Sequence, residues 1–218
     1  MFLIDKDKEL NTNLLGKIIQ TFQTRDLPKL IKLYDYYNGK QDIMKKIPTD
    51  TGKPCNKVMT NYCHSIVQTY NGYLTGIDIA YNSENDFDEV QDVLNYNDVH
   101  SVDAELLKHA LIAGVAYEIG YIDEDGKHRF KVLDSRNVIP VYDNTLNQEL
   151  KYVIRFYKDS LVDKDEYTVE VYDKSRVRTY RSTQGFSSFQ LLEVMPHYFN
   201  QVPIVVFQLN NDMESIFE

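Results

Sequence analysis

The sequence has no tryptophan, only two cysteines and no apolar run long enough to cross a membrane. Its longest apolar runs, such as residues 204–207, have the length of a strand, whereas a membrane helix needs about 20 apolar residues. Residues 1–4 are followed at once by the charged stretch 5–9, so this N-terminus has no apolar segment of signal-peptide length. We therefore expect a protein that is made and kept in a cytoplasm.

The two cysteines, Cys55 and Cys63, are too few for a disulfide framework. If one helix ran through both, they would lie about 12 Å apart, which is beyond the reach of a disulfide. We predict that both are free thiols in a reducing compartment.

Positive charge is also scarce: 24 Lys and Arg stand against 33 Asp and Glu, a formal net charge of −9. A protein that holds nucleic acid by its phosphates needs clustered Lys and Arg, so this balance argues against such a grip. It does not exclude a protein that surrounds nucleic acid without holding it. The 43% hydrophobic and 26% charged residues are typical of a folded globular protein, and the 17 tyrosines suit strand surfaces and subunit contacts.

The first half of the chain has the apolar spacing of helices. Pro28 lies in the first turn of the second helix and Asn38-Gly39 ends it, while Asn56 is the predicted N-cap and Gly76 the predicted end of a long third helix. The stretch between the second and third helices, rich in Pro and Gly, is predicted to be a loop. The predicted helices are 12–24, one opening at Asp26, one from Asn56 to Gly76, 86–96 and 101–113.

From Gly114 onward the pattern alternates with the period of strands. Turn residues separate the runs, for instance Asp125-Gly126 and Asp173-Lys174-Ser175. The predicted strands are a short half-buried one at 77–81, then 114–122, 128–133, 138–142, 150–158, 166–173, 176–182, 189–195 and 203–209. Helices first and strands afterwards predict an α+β fold with a mostly antiparallel β region, not a nucleotide-binding βαβ sheet.

No motif of catalysis or of metal or cofactor binding stands out. Cys55, Cys63 and His64 come nearest to a zinc site, but neighbouring helical residues point about 100° apart and no second ligand pair exists. The acidic run 123–126 lacks the alternating ligands of a calcium loop, and Asp-Gly between alternating segments favours a hairpin turn. We therefore predict no enzyme, no cofactor and no metal site.

Several segments in order resemble the portal proteins of tailed phages of Gram-positive hosts. The segment 33–40 resembles the family's helix end with two aromatics before x-Gly-Lys, and 56–76 resembles a helix that ends in Gly-Tyr-Leu-x-Gly. Residues 114–118 resemble the Gly-x-Ala-Tyr-Glu strand start. Residues 132–143 resemble x-Asp-Pro-Arg-x-x-x-Pro-x-Tyr-Asp, with Ser135 in place of Pro, and 202–211 resemble the closing strand.

This resemblance implies a structural subunit of the ring, usually twelve-fold, through which DNA is packaged and ejected. It implies a virion protein at the portal vertex, with the host cytoplasm as its place during assembly. Its implied partners are other copies of itself, the terminase, scaffold and capsid proteins, head–tail adaptors and double-stranded DNA that passes without sequence specificity. The matched part corresponds to the peripheral wing, and because portals are about twice this long, we expect a shortened form that ends before the stem, clip and crown.

Under this interpretation the chain divides into an N-terminal helical segment, 1–40, a helical part of a wing-like domain, 41–113, and its β-rich part, 114–218. Strand tyrosines are candidates for contacts between neighbouring copies, although packing within a sheet is the commoner use of such residues: Tyr117, Tyr152, Tyr157 and Tyr172. Two alternatives stay open, namely another head-completion or minor head protein, and a metal-dependent nuclease that uses scattered Asp and Glu.

Overall fold

The computed structural model describes residues 1–47, 55–81, 83, 87–158, 166–183 and 185–217. In these residues the α-helices are α1 (Thr12–Arg25), α2 (Leu27–Tyr37), α3 (Tyr62–Leu74), α4 (Asp88–Tyr96) and α5 (Val99–Ala113), and short 3-10 helices lie at Asp42–Lys45 and Ser135–Asn137. The strands are β1 (Phe2–Ile4), β2 (Val115–Ile122), β3 (His128–Leu133), β4 (Val138–Asp143), β5 (Leu150–Lys158), β6 (Tyr167–Tyr172), β7 (Arg176–Thr183), β8 (Ser188–Pro196) and β9 (Ile204–Gln208).

The strands form two sheets, whose strands all come from the second half of the chain except β1. The larger has the strand order β1-β4-β5-β6-β7-β8, and the smaller has the order β3-β2-β9. β1 pairs with β4 in parallel, and every other pairing is antiparallel. The predicted α+β class with a mostly antiparallel β region is therefore confirmed.

The main core lies between the helices and one face of the larger sheet. The apolar residues of α1 recur three and four apart, and Asn11 begins the helix by accepting a hydrogen bond from Leu14 N at 2.9 Å. Ile19 of α1 and Ile154 of β5 belong to this core and are fully buried. Val153, the neighbour of Ile154, points to the other face and is buried against the smaller sheet. β5 is thus covered on both faces, as expected of a central strand.

The predicted start of the third helix is wrong. Residues 55–60 have no regular secondary structure, and α3 begins at Tyr62 with Asn61, not Asn56, as its N-cap. The Asn61 side chain accepts from His64 N at 3.2 Å and donates to Tyr37 O at 2.9 Å. Because this second bond ties Asn61 to the end of α2, a tertiary contact fixes where α3 starts. Cys55 consequently lies outside the helix, and both cysteines are free, as predicted.

The predicted strand at 77–81 is also wrong, and β1 was not predicted. Ile77, Ile79 and Tyr81 alternate with other residues, but they are exposed and no strand pairs with them in the described part of the chain. An alternating segment becomes a strand only where a sheet edge is open to it. β1 has three residues, too few to show a period, and is fixed by its parallel pairing with β4. The other predicted strands and helices match the observed ones to within about two residues at their ends.

Candidate functional site

The four tyrosines predicted as contact candidates lie in two different environments. Tyr117 and Tyr152 are only 4% and 6% exposed and pack into the two cores, so their rings have little surface to offer a neighbour. Tyr157 and Tyr172 are half-buried on the opposite face of the larger sheet from Tyr152. The contact role of all four remains a prediction, and the partial exposure of Tyr157 and Tyr172 suits it better.

Tyr157 and Tyr172 belong to a polar cluster centred on Glu170. Glu170 of β6 lies opposite Arg155 of β5, and its Oε2 accepts from Arg155 Nη1 at 2.8 Å. The Tyr157 hydroxyl donates to Oε1 at 3.0 Å and the Tyr172 hydroxyl to Oε2 at 2.8 Å, while the Arg155 guanidinium lies 4.3 Å from the centre of the Tyr157 ring. Burial raises the pKa of Tyr157 and Tyr172, so both phenols stay protonated as donors. Both oxygens of the Glu170 carboxylate accept hydrogen bonds, so the cluster ties β5 to β6 within the sheet.

A second cluster joins α2, α5 and the turn before β4. Asp134 accepts from the backbone and guanidinium of Arg136, and that guanidinium lies 4.5 Å from the centre of the Tyr34 ring. Burial opposes ionisation of Asp134, but its hydrogen bonds from Arg136 lower its pKa. The Tyr34 hydroxyl is 2.6 Å from His109 Nδ1. Burial lowers the pKa of His109, outweighing the nearby carboxylates of Asp134 and Glu105.

The His109 environment predicts a loss of stability on mild acidification. A histidine whose pKa is lower in the folded state binds fewer protons there than in the unfolded state. Above the unfolded pKa of about 6.5 this difference does not change the free energy of unfolding. As the pH falls below that value, the difference lowers the free energy of unfolding. Lowering the pH from 7.5 to 5.5 should reduce the free energy of unfolding of the wild type more than that of His109→Gln, by at most about 1.4 kcal/mol per pH unit. Urea unfolding at both pH values measures this, and equal losses in the two proteins would contradict it.

The sequence features weighed as metal sites have other structural roles. The His64 ring packs against the Tyr37 ring at a tilt of 35°, with ring centres 4.9 Å apart, and burial raises the pKa of the Cys63 thiol, which keeps it protonated. Asp123 caps the β2–β3 hairpin turn by accepting from the backbone of Asp125 and Lys127, which helps to lower its pKa. The described residues contain no group of three or more His, Cys, Asp or Glu that could hold a metal ion.

One helix presents an exposed apolar surface that the sequence analysis did not identify. Six residues of α3 and the bend that follows it are between 37% and 86% exposed, and we call them the α3 surface: Tyr62, Ile66, Tyr70, Tyr73, Leu74 and Ile77. Most recur at the spacing of one helix face, while Val67 faces the core. The stretch 58–77 holds no Asp, Glu, Lys or Arg in a chain that is 26% charged. That gap in the charge pattern could have pointed to this surface.

A second exposed apolar surface lies on an edge strand. β8 is the last strand of the larger sheet, and four of its apolar residues are about half exposed, which we call the β8 surface: Leu191, Leu192, Val194 and Met195. Residues 185–211 contain a single charged residue, Glu193. The edge of β3 is different, because the Asn97 side chain donates to His128 O and accepts from Phe130 N, both at 2.9 Å. Asn97 thereby closes that edge, whereas no strand in the described ranges pairs with the outer side of β8.

Among the described residues, no helix combines the length and the apolar character needed to cross a membrane.

Comparison with known proteins gives one consistent result. Residues 17–218 match the family model described as "Phage portal protein, SPP1 Gp6-like". The portal protein of Bacillus phage SPP1 is 22% identical over 240 residues, covering 98% of this chain and 47% of that protein. The portal protein of Clostridium phage phiCD119 is 25% identical over 213 residues, covering 86% of this chain and 47% of that protein. The chain thus spans about half the length of the curated relatives it matches.

Proposed function

Because this chain belongs to the phage portal protein family, SPP1 Gp6-like, we propose that it is a structural subunit of the portal ring and has no catalytic role of its own. The observation that carries the proposal is the family match, which extends over residues 17–218. The buried polar clusters agree with it, because their carboxylates are paired with arginine instead of converging on an open cleft.

The charges of the chain suit a protein through which DNA passes better than one that binds DNA by its phosphates. Each Lys or Arg that contacts a phosphate releases counterions and strengthens binding, so a channel that lets DNA slide should offer few free cations. Five of the arginines form ion pairs with carboxylates of the same chain: Arg25, Arg136, Arg155, Arg176 and Arg178. The net charge of −9 agrees with a portal subunit that does not hold double-stranded DNA by its phosphates.

Under this proposal the chain forms the wing portion of the subunit, with 1–40 as a helical segment, 41–113 as the helical part of the wing and 114–218 as its β-rich part. Its partners are copies of itself in a ring, together with terminase, scaffold, capsid and head–tail adaptor proteins. Its place is the portal vertex of the virion and, during assembly, the host cytoplasm. Tyr157 and Tyr172 are the better placed of the four candidate contact tyrosines.

Electron microscopy tests the proposal directly. The complete gene product that contains this chain, purified and negatively stained, should give annular particles with a central channel and one rotational symmetry. Analytical ultracentrifugation of the same sample should give one closed oligomer instead of an open-ended size distribution, because a cyclic head-to-tail contact closes on itself. Monomers at micromolar concentration, or filaments without closure, would contradict the proposed function.

A further inference from the structure

We propose that the α3 surface of one copy docks against the β8 surface of the next copy, so that a helix of one subunit covers the open sheet edge of its neighbour. The inference rests on the proposed function, since it assumes that copies of this chain form a ring. It goes further by naming the two faces that meet.

The composition of the α3 surface is that of an interface core. Such cores are poor in charged residues and rich in tyrosine, and 58–77 has no charged residue while three tyrosines stand on its exposed side. A buried tyrosine contributes about 150–250 Å², so Tyr62, Tyr70 and Tyr73, which are 51% to 86% exposed, offer roughly 400 Å² together. That is about half of the roughly 800 Å² that each partner buries in an interface of standard size. The aliphatic residues of the same surface add to it.

The apolar side chains of the β8 surface lie on an open sheet edge, where a partner is expected to bury them. An exposed apolar edge strand tends to pair or aggregate, and proteins commonly cover such an edge with a helix. The exposed residues of β8 include Leu191 and Val194 on one face of the strand and Met195 on the other. A helix laid along the strand contacts both sides of the edge at once, which a flat surface on one face cannot do.

The lack of charge on the two surfaces, in a chain whose net charge is −9, favours a second copy as the occupant. Copies that each carry a formal charge of −9 repel one another, and the repulsion is strongest where carboxylates would be desolvated face to face. The α3 surface has no charged residue and the β8 strand has only Glu193, so two copies can meet there at low electrostatic cost. A basic partner would instead be recognised by an acidic surface.

The two surfaces lie on different elements, as a head-to-tail contact requires. α3 packs against α2 and α5, whereas β8 packs against β7 and α1. A ring requires a heterologous contact, in which two different surfaces of the same chain meet. The chain presents two such surfaces on different elements.

Two double variants of the complete gene product test this contact. Tyr73→Glu with Ile77→Glu places two carboxylates on the α3 surface, and Leu192→Glu with Met195→Glu places two on the β8 surface. Each pair should raise the concentration for half-maximal ring assembly by about a hundred-fold or more, since charges desolvated at the centre of an interface abolish its strongest contacts. Val90→Glu with Leu146→Glu is the matched control, because both residues are exposed, lie outside the two surfaces and add the same charge.

Mixing the two variants distinguishes this contact from any other arrangement. One variant keeps an intact β8 surface and the other an intact α3 surface, so an equimolar mixture should form one-to-one dimers that cannot grow. Sedimentation velocity and native mass spectrometry measure the stoichiometry, and thermal unfolding should show that both variants remain folded.

The outcomes separate this inference from the proposed function. If the wild type forms rings and either variant does so at the same concentration, or if the mixture gives no heterodimer, the inference is wrong while the portal function stands. Homodimers of a single variant would show a two-fold contact and would also overturn it. If the wild type forms no closed oligomer, both the proposed function and this inference are wrong.

Discussion

Replacing Gly114 with alanine should destabilise the protein by about 3 kcal/mol or more, a large part of the about 5–15 kcal/mol typical of a folded domain. Gly114 ends α5 in the left-handed region, with φ +77°, which costs a residue with a side chain about 1–2 kcal/mol. An added Cβ would also lie only 2.1 Å from Met213 O. Relief of that overlap requires the backbone at 213–214 to move, and forced shifts in packed regions cost about 1–3 kcal/mol more.

The segment that would move is held against the end of α5. Ile216 N and the Ser215 hydroxyl both donate to Leu111 O at 3.1 Å, and Leu209 N donates to Gly114 O at 3.0 Å. Displacement of the segment should therefore also speed hydrogen exchange at the Ile216 amide, in addition to lowering the urea midpoint.

Gly126→Ala is the control that measures the cost of the left-handed backbone conformation without any steric overlap. Gly126 has nearly the same φ, +75°, but a Cβ there meets nothing within 4 Å. This variant should lose only about 1 kcal/mol, the cost of the left-handed conformation. If Gly114→Ala and Gly126→Ala lower the free energy of unfolding equally, the segment after β9 moves aside without cost. The packing argument would then be wrong.

The elements predicted correctly are those whose side chains repeat. α1 has a complete apolar stripe and a capping asparagine, and β6 alternates between buried and partly exposed residues before the turn Asp173-Lys174-Ser175. The wrong assignments depend on contacts with distant residues. Asn61 begins α3 because it bonds to the end of α2, and the alternating stretch 77–81 pairs with no strand among the residues that the structure describes.

The candidate site was predictable only in part, for a related reason. Strand parity places Tyr152 and Tyr157 on opposite faces of β5, but the sequence does not say which face the helices cover. The apolar spacing of α3 likewise predicts a helix without showing that much of its stripe faces outward. The lack of charge along 58–77 was the feature that could have marked the α3 surface, because a solvated helix usually carries charged residues on its outer side.

Replacing Glu170 with alanine should cost about 3 kcal/mol, the second large effect that we expect. The Glu170 side chain is 14% exposed and that of Arg155 is 32% exposed, so the pair is mostly removed from water. Removing one partner of a buried ion pair typically costs about 3–5 kcal/mol, and we place this case at the low end because Arg155 keeps some access to solvent. The hydroxyls of Tyr157 and Tyr172 lose the same acceptor.

Asp42→Ala is the matched control for this loss. Asp42 also accepts from a tyrosine hydroxyl and a cation, Tyr36 at 2.8 Å and Lys45 at 3.1 Å, but its side chain is 53% exposed. Water replaces the lost partners at such a site, so urea unfolding should not resolve any change. The difference between the two variants therefore measures what burial adds to an otherwise similar set of hydrogen bonds. Should Glu170→Ala unfold at the wild-type midpoint, water must reach Arg155 in the folded protein, and the cluster would have to be treated as a surface ion pair.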